Sequence, residues 1–184
     1  LMLEYETWPY IIIQIHDVDH HEILKWDVLE LIDAKEKAST AQNTHIGKSL
    51  CNQFDDILPY YNVDTILIEN QIGQNAIKMK TIQGMINMYF VMREYDINTI
   101  INYNASHKLK PFLDKNEKTT YAQRKKLSKV VTHQLCKQVY GETLCSFYES
   151  FKKKDDLADC LLQALDFIKK KEKLTTQFYD KIIL

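Results

Sequence analysis

Carboxylates near the C-terminus of the chain have the residue types and the spacing needed to bind a divalent cation. Asp156 and Asp159 are three positions apart, so on a helix they share one face. The apolar residues that follow recur at helical spacing, which predicts a packed helix over about 156–171. Two acids on one face at the start of a packed helix can hold a hard cation, either Mg²⁺ or Mn²⁺. The chemistry that such a cation supports is hydrolysis of phosphate esters.

A third acid, Glu69, closes an apolar run that predicts a buried strand over 65–69. Sites in open α/β sheets form at the carboxyl ends of strands, so Glu69 is well placed to join the two aspartates. Three such acids can form the carboxylate cage of a two-metal site. The simpler alternative is a solvated glutamate together with acids, including Asp155, that only cap a helix and favour its dipole.

Basic residues are concentrated between His107 and Lys129, where they outnumber the acids. A basic loop that leads into a basic helix start is typical of surfaces that contact a phosphate backbone. Lysines at a helix start also oppose the helix dipole, which an external anion would relieve. The alternative is a solvated charged loop. The candidate DNA-contacting residues are Lys108, Lys110, Arg124, Lys125, Lys126 and Lys129.

The composition is that of an ordinary globular protein. The chain has 184 residues and a formal net charge of -1, so no global field attracts nucleic acid and any such partner must bind a local patch. No apolar run is long enough for a membrane span and no leader peptide is visible, which predicts an intracellular protein without a membrane partner.

The cysteines and histidines do not predict a zinc site. The cysteines (Cys51, Cys136, Cys145 and Cys160) contain no Cys-x-x-Cys pair and are expected to be free thiols in a reducing compartment. The histidine-rich run from His16 to His21 lies between two predicted strands, and a polar turn is the better interpretation.

The order of predicted elements favours an α/β fold with a central mixed sheet flanked by helices, in a single domain over 1–184. The predicted strands are 1–5, 10–15, 22–29, 65–69 and 97–103. The predicted helices are 46–58, 75–93, 124–139 and 156–171.

Three motifs in this order resemble those of the Holliday junction resolvases of the RuvC superfamily. They are Ile68-Glu69-Asn70-Gln71 at a strand end, Arg124-Lys125-Lys126 at a helix start, and Lys154-Asp155-Asp156-Leu157-Ala158-Asp159 opening the last helix. The resemblance covers about 20–170 and is closest to the poxvirus-type branch and its viral or mitochondrial relatives.

The resemblance implies a ribonuclease H-like fold with a five-stranded mixed sheet. It implies a homodimeric, Mg²⁺-dependent DNA endonuclease that makes paired nicks in four-way junctions during recombination and repair. By motif, Glu69, Asp156 and Asp159 would be metal ligands, and Lys126 or Lys125 the basic residue near the cleaved strand. The location would be the cytoplasmic replication site of a virus, or otherwise a mitochondrion or nucleus.

One family motif has no counterpart in the sequence. The first acid of the family lies in an Asp-x-Gly-x-x-Asn motif on the first strand, and Leu1–Tyr5 is similar to the strand that follows it. Either this strand precedes the sequence given or the protein has lost the acid. A chain without that strand and that ligand is expected to be less stable and inactive. Two alternatives stay open: a non-catalytic DNA-binding member of the same fold, and an unrelated α/β interaction domain whose acids are helix caps.

Overall fold

The computed structural model is mixed α/β, which confirms the predicted class. Contacts between Cα atoms divide the chain into two compact units. The first comprises Leu1–Trp8 and Val28–Ala105, and the second Pro9–Asp27 and Ser106–Leu184. The single domain over 1–184 stays a prediction. The residues that the structure describes are 7–16, 20–32, 40–71, 76–96, 99–104, 108–113 and 119–172.

The first unit contains a strand–helix–strand arrangement. β3 (Ile66–Glu69) pairs in parallel with β4 (Ile100–Tyr103), and the register places Glu69 opposite Tyr103. α2 (Ile77–Met92) lies between them in the chain, as parallel strands require a crossover rather than a tight turn. Both strands and the helix are confirmed predictions. Glu69 is therefore the last residue of a strand that belongs to a parallel pair.

α1 (Asn43–Ile57) buries one face against α2 in the first unit. Ile46, Leu50 and Phe54 recur every fourth position on that face and are buried. The helix begins earlier than the predicted residue 46, and Pro59 lies inside a 3₁₀ turn rather than directly ending the helix. The buried residues contributed by α2 are Ile82, Ile86, Tyr89 and Phe90.

The described residues of the second unit contain three α-helices where the sequence predicted two. α3 (Tyr121–Leu135) ends in a π-helical turn, Cys136–Tyr140, and α4 (Glu142–Ser150) follows. Gly141 between them has φ 88°, a backbone conformation that favours glycine. The predicted helix over 124–139 therefore covers most of α3 and of the π-helical turn, and α4 was not predicted.

α5 (Lys154–Glu172) packs against α3 and α4, which confirms the prediction of a packed helix near the end of the sequence given. Its apolar face is fully buried, and its neighbour α3 contributes Val131 and Leu135. The buried side chains of α5 include Leu157, Leu161, Leu162, Leu165 and Ile168. No helix in the described part of the chain is long and apolar enough to cross a membrane.

β1 (Thr7–Ile15) and β2 (His21–Glu30) pair with each other, and both are confirmed predictions. Trp26 of β2 is only 3% exposed and stacks on Tyr148 of α4, with ring centroids 5.4 Å apart and an interplanar angle of 3°. This stack anchors the hairpin residues of the second unit on its helices.

The described strands form two sheets of two strands each, β1–β2 and β3–β4. The predicted strand 1–5 lies outside the described residues. The family resemblance implies a single five-stranded sheet. This pairing alone does not establish such a sheet, so it stays a prediction.

Candidate functional site

The acidic motif lies on the first two turns of α5. Asp155 and Asp156 occupy the first turn, where acids favour the helix dipole, and Asp159 lies about one turn further on. All three side chains are partly buried, because the next residues of the helix are packed in the core of the second unit. The helix therefore holds the three carboxylates rigidly at one end.

Lys125 of α3 forms an ion pair with the first of these acids. Its Nζ lies 2.6 Å from Asp155 Oδ2 and 5.4 Å from the centroid of the Tyr121 ring. The hydrogen bond to Asp155 is the main reason why the pKa of Lys125 is raised. Burial alone would raise the pKa of Asp155, but the Lys125 hydrogen bond and neighbouring charges hold it below its ordinary value.

Lys108 forms the second pair. Its Nζ lies 2.9 Å from Asp159 Oδ1, and the lysine side chain is only 13% exposed. The neighbouring Leu109 is buried, and a 3₁₀ turn over Lys110–Phe112 follows, so this part of the basic segment is packed rather than solvated. One residue predicted to contact DNA, Lys108, thus lies against a predicted metal ligand, whereas Lys125 lies against the neighbouring acid Asp155.

Asp156 differs from its two acidic neighbours because no described residue forms an ion pair with it. Its pKa is raised, first by burial and then by the negative charges of Asp155 and Asp159. In this position the ionised form of the Asp156 carboxylate is destabilised. A cation bound by both Asp156 and Asp159 would offset that cost.

The other predicted DNA-contacting residues, Lys110, Arg124, Lys126 and Lys129, have exposed side chains. The start of α3, which carries most of them, is fixed by a capping box: Gln123 N–H donates to Thr120 Oγ1 and the Gln123 side chain accepts from Thr120 N–H. Rigid presentation of solvated cations suits contact with phosphates.

Glu69 is the last residue of β3 and is partly buried. It belongs to the first unit, whereas Asp156 and Asp159 belong to the second. The structure brings the two aspartates together with lysines, and the participation of Glu69 in the same site stays a prediction.

A second group of possible ligands was missed in the sequence. His133 Nε2 lies 2.6 Å from Glu149 Oε1, and Cys145 Sγ lies 3.9 Å from the same oxygen. All three ligand atoms are within 4.8 Å of one another. The four-residue spacing of Cys145 and Glu149 is a readable signal, but only on a helix, and α4 was not predicted.

The Lys125–Asp155 pair predicts a specific pH dependence of stability. The lowered pKa of Asp155 contributes stability above its ordinary value of 3.8, and this contribution is lost as the pH falls through the folded-state value. We expect Asp155→Asn to cost about 1 kcal/mol or less at pH 7, since Lys125 is 42% exposed. Thermal unfolding at neutral and acid pH measures the effect.

A control for this prediction is Glu22→Gln, which removes the partner of His16 in an exposed pair. Its effect on stability should be negligible at both pH values. A stability difference between the parent protein and Asp155→Asn that does not shrink as the pH falls below 3.8 would contradict the stated role of the carboxylate.

Comparison of the chain with protein-family models, with curated proteins and with solved structures finds no match. The function must therefore be argued from the residues themselves. The geometry that supports the argument is the meeting of acids and lysines at the start of α5.

Proposed function

We propose that the protein is a Mg²⁺-dependent endonuclease that resolves four-way DNA junctions by hydrolysing phosphodiester bonds. The observation that carries this proposal is that Lys108 and Lys125 of the basic segment lie against the acids of α5. Substrate-binding cations and metal-binding carboxylates are needed side by side in phosphodiester hydrolysis, because the metal and the phosphate must meet.

The residues fit the proposed metal. Mg²⁺ prefers carboxylate oxygens and water, and Asp156 is a partly buried carboxylate without an ion-pair partner among the described residues. Asp156 and Asp159 would hold the ion, with Glu69 as the proposed third ligand. When bound, Mg²⁺ or Mn²⁺ would polarise the scissile phosphate and lower the pKa of the attacking water.

The protein side chains would divide the remaining work between charge compensation and DNA binding. Lys108 neutralises Asp159, and Lys125 neutralises Asp155. Of the three acids, Asp156 is therefore the one that a bound cation would stabilise most. Lys126 is exposed near the start of α3 and is proposed to contact the phosphate next to the cleaved bond. Recognition would use junction shape, because contacts to phosphates carry no base sequence.

The proposal also includes the fold, the oligomeric state and the location that the family resemblance implies. We propose a ribonuclease H-like arrangement of the strands, and a homodimer in which each protomer cuts one strand of the junction. We also propose action in an intracellular compartment that replicates DNA. A second candidate is a protein of the same fold that binds junctions without cutting them.

The experiment is cleavage of a synthetic four-way junction by the protein expressed from its complete reading frame. We expect paired, symmetric nicks with Mg²⁺ or Mn²⁺, leaving a 3′-hydroxyl and a 5′-phosphate, and little cleavage of a linear duplex of the same sequence. Salt-dependent junction binding without nicks would instead favour the non-catalytic candidate. Neither binding nor cleavage would favour an interaction domain unrelated to DNA.

A further inference from the structure

We propose that His133, Cys145 and Glu149 bind a Zn²⁺ ion that clamps α3 to α4. This site is separate from the carboxylates of α5 and does not depend on the proposed nuclease activity. It would be a three-ligand site, with the fourth position taken by a water molecule.

The ligand atoms are already near the required distances. Zinc bonds of about 2.0–2.1 Å to nitrogen, 2.0–2.2 Å to oxygen and 2.3 Å to sulfur place tetrahedral ligand atoms about 3.3–3.7 Å apart. The sulfur–oxygen distance between Cys145 and Glu149 is 3.9 Å, and the nitrogen–oxygen distance between His133 and Glu149 is 2.6 Å. The first distance is slightly longer than this range and the second must open. Both side chains of the His133–Glu149 pair are at least partly solvent-accessible, so they can move.

The set of donors selects zinc over Mg²⁺. One imidazole, one thiolate and one carboxylate match the borderline preferences of Zn²⁺, whereas Mg²⁺ prefers oxygen donors alone. The thiolate and the carboxylate together balance the charge of a divalent ion.

A groove open to solvent lies beside His133 and Glu149 and leaves room for a water molecule at the fourth coordination position. Its volume is about 550 Å³, and Gln134 and Tyr148 also line it. Tyr148 is 1% exposed, and its hydroxyl has no hydrogen-bond partner among the described residues; the same holds for Gln134 Oε1. Buried polar atoms in native proteins are normally paired, so these two atoms call for a bound water or ligand.

The π-helical turn fits the same interpretation. Cys136–Tyr140 separates the ligand on α3 from the two ligands on α4, and its wider winding, followed by Gly141, reverses the chain between them. Such turns inside or beside α-helices occur frequently at functional sites. The competing interpretation is a plain His133–Glu149 ion pair beside a buried thiol, and this interpretation predicts no affinity for metal.

The experiment titrates the metal-free protein with Zn²⁺ and, separately, with Co²⁺. We expect one Zn²⁺ per chain, a rise in Tm, and a sulfur-to-cobalt charge-transfer absorption that a carboxylate site cannot produce. Because loss of an outer-shell partner already costs about 10–100-fold in metal affinity, loss of a ligand should cost at least that much. Cys145→Ser should abolish the absorption, and His133→Gln should lower the affinity by at least about tenfold.

The controls are Cys51→Ser and His45→Gln, which remove the same residue types from α1 and should leave binding unchanged. His133→Gln changes a partly exposed side chain, so it stays informative if Cys145→Ser fails to fold. The proposal is overturned if the parent protein shows no sulfur-to-cobalt absorption, or if His133→Gln binds Zn²⁺ as tightly as the parent.

Discussion

Asp156→Asn is expected to abolish Mg²⁺-dependent junction cleavage and, at the same time, to stabilise the metal-free protein. A metal ligand contributes several kcal/mol to the transition state, and each 1.36 kcal/mol is a factor of ten, so we expect a rate loss of at least about 10²–10³. Glu69→Gln and Asp159→Asn should cause losses of similar size if they are ligands of the same site.

The gain in stability has its own physical cause. The pKa of Asp156 is raised by burial and by its acidic neighbours, so above its ordinary value of 3.8 the charge destabilises the folded state. Asparagine has nearly the same shape and no charge. We expect a gain of about 1 kcal/mol or less at pH 7, or a Tm rise of about 2–4 °C at most, which should vanish in acid.

Asp155→Asn is the matched control, because it removes the neighbouring carboxylate of the same helix turn. Its carboxylate is stabilised by Lys125, so its loss should lower stability and leave most of the cleavage activity. Opposite signs at adjacent positions distinguish a metal ligand from a helix cap. Normal cleavage by Asp156→Asn would refute its assignment as a ligand.

Trp26→Ala should be the most destabilising single change in the second unit, by about 3–5 kcal/mol. Trp26 is buried, stacks on Tyr148, and has its ring centroid 6.3 Å from that of Phe147, so the truncation leaves a large cavity between the hairpin and α4. At about 2–4 °C per kcal/mol, this corresponds to a Tm decrease of about 6–20 °C. Thermal and denaturant unfolding measure it.

Trp26→Phe provides the control for volume and for polarity. The indole N–H of Trp26 is buried without a hydrogen-bond partner among the described residues, so phenylalanine removes an unsatisfied donor while filling part of the space. We expect a loss well below that of alanine. Tyr60→Ala, at a side chain 83% exposed, should have almost no effect. Equal losses for alanine and phenylalanine at position 26 would contradict this account.

Regular apolar periodicity made most elements of the fold predictable. α5 was predicted because its buried leucines recur at helical spacing, and β3 because four apolar or β-branched residues precede an acid. α4 was missed because its short sequence mixes polar and aromatic residues, and because its start depends on the positive φ of Gly141. Sequence patterns report local periodicity and carry little information about such backbone reversals.

The candidate site was predictable in its residue types and not in its pairings. Asp156, Asp159 and the basic segment were identified from charge and spacing alone. The ion pairs of Asp159 with Lys108 and of Asp155 with Lys125 depend on how α3 and the turn after Lys108 pack on α5, which is tertiary information. The grouping of His133 with Cys145 and Glu149 depends likewise on the reversal between two helices.

The second unit is built from two stretches of chain, Pro9–Asp27 and Ser106–Leu184, separated by most of the first unit. Its contacts are therefore remote in sequence: His21 and Tyr140, whose side chains are 2.7 Å apart, are separated by 119 positions. The β3–α2–β4 segment of the first unit is by contrast closed by local pairing. During synthesis on the ribosome, the strand–helix–strand segment can form before the helices of the second unit are translated. The second unit can form only after the residues of α5 have left the ribosome.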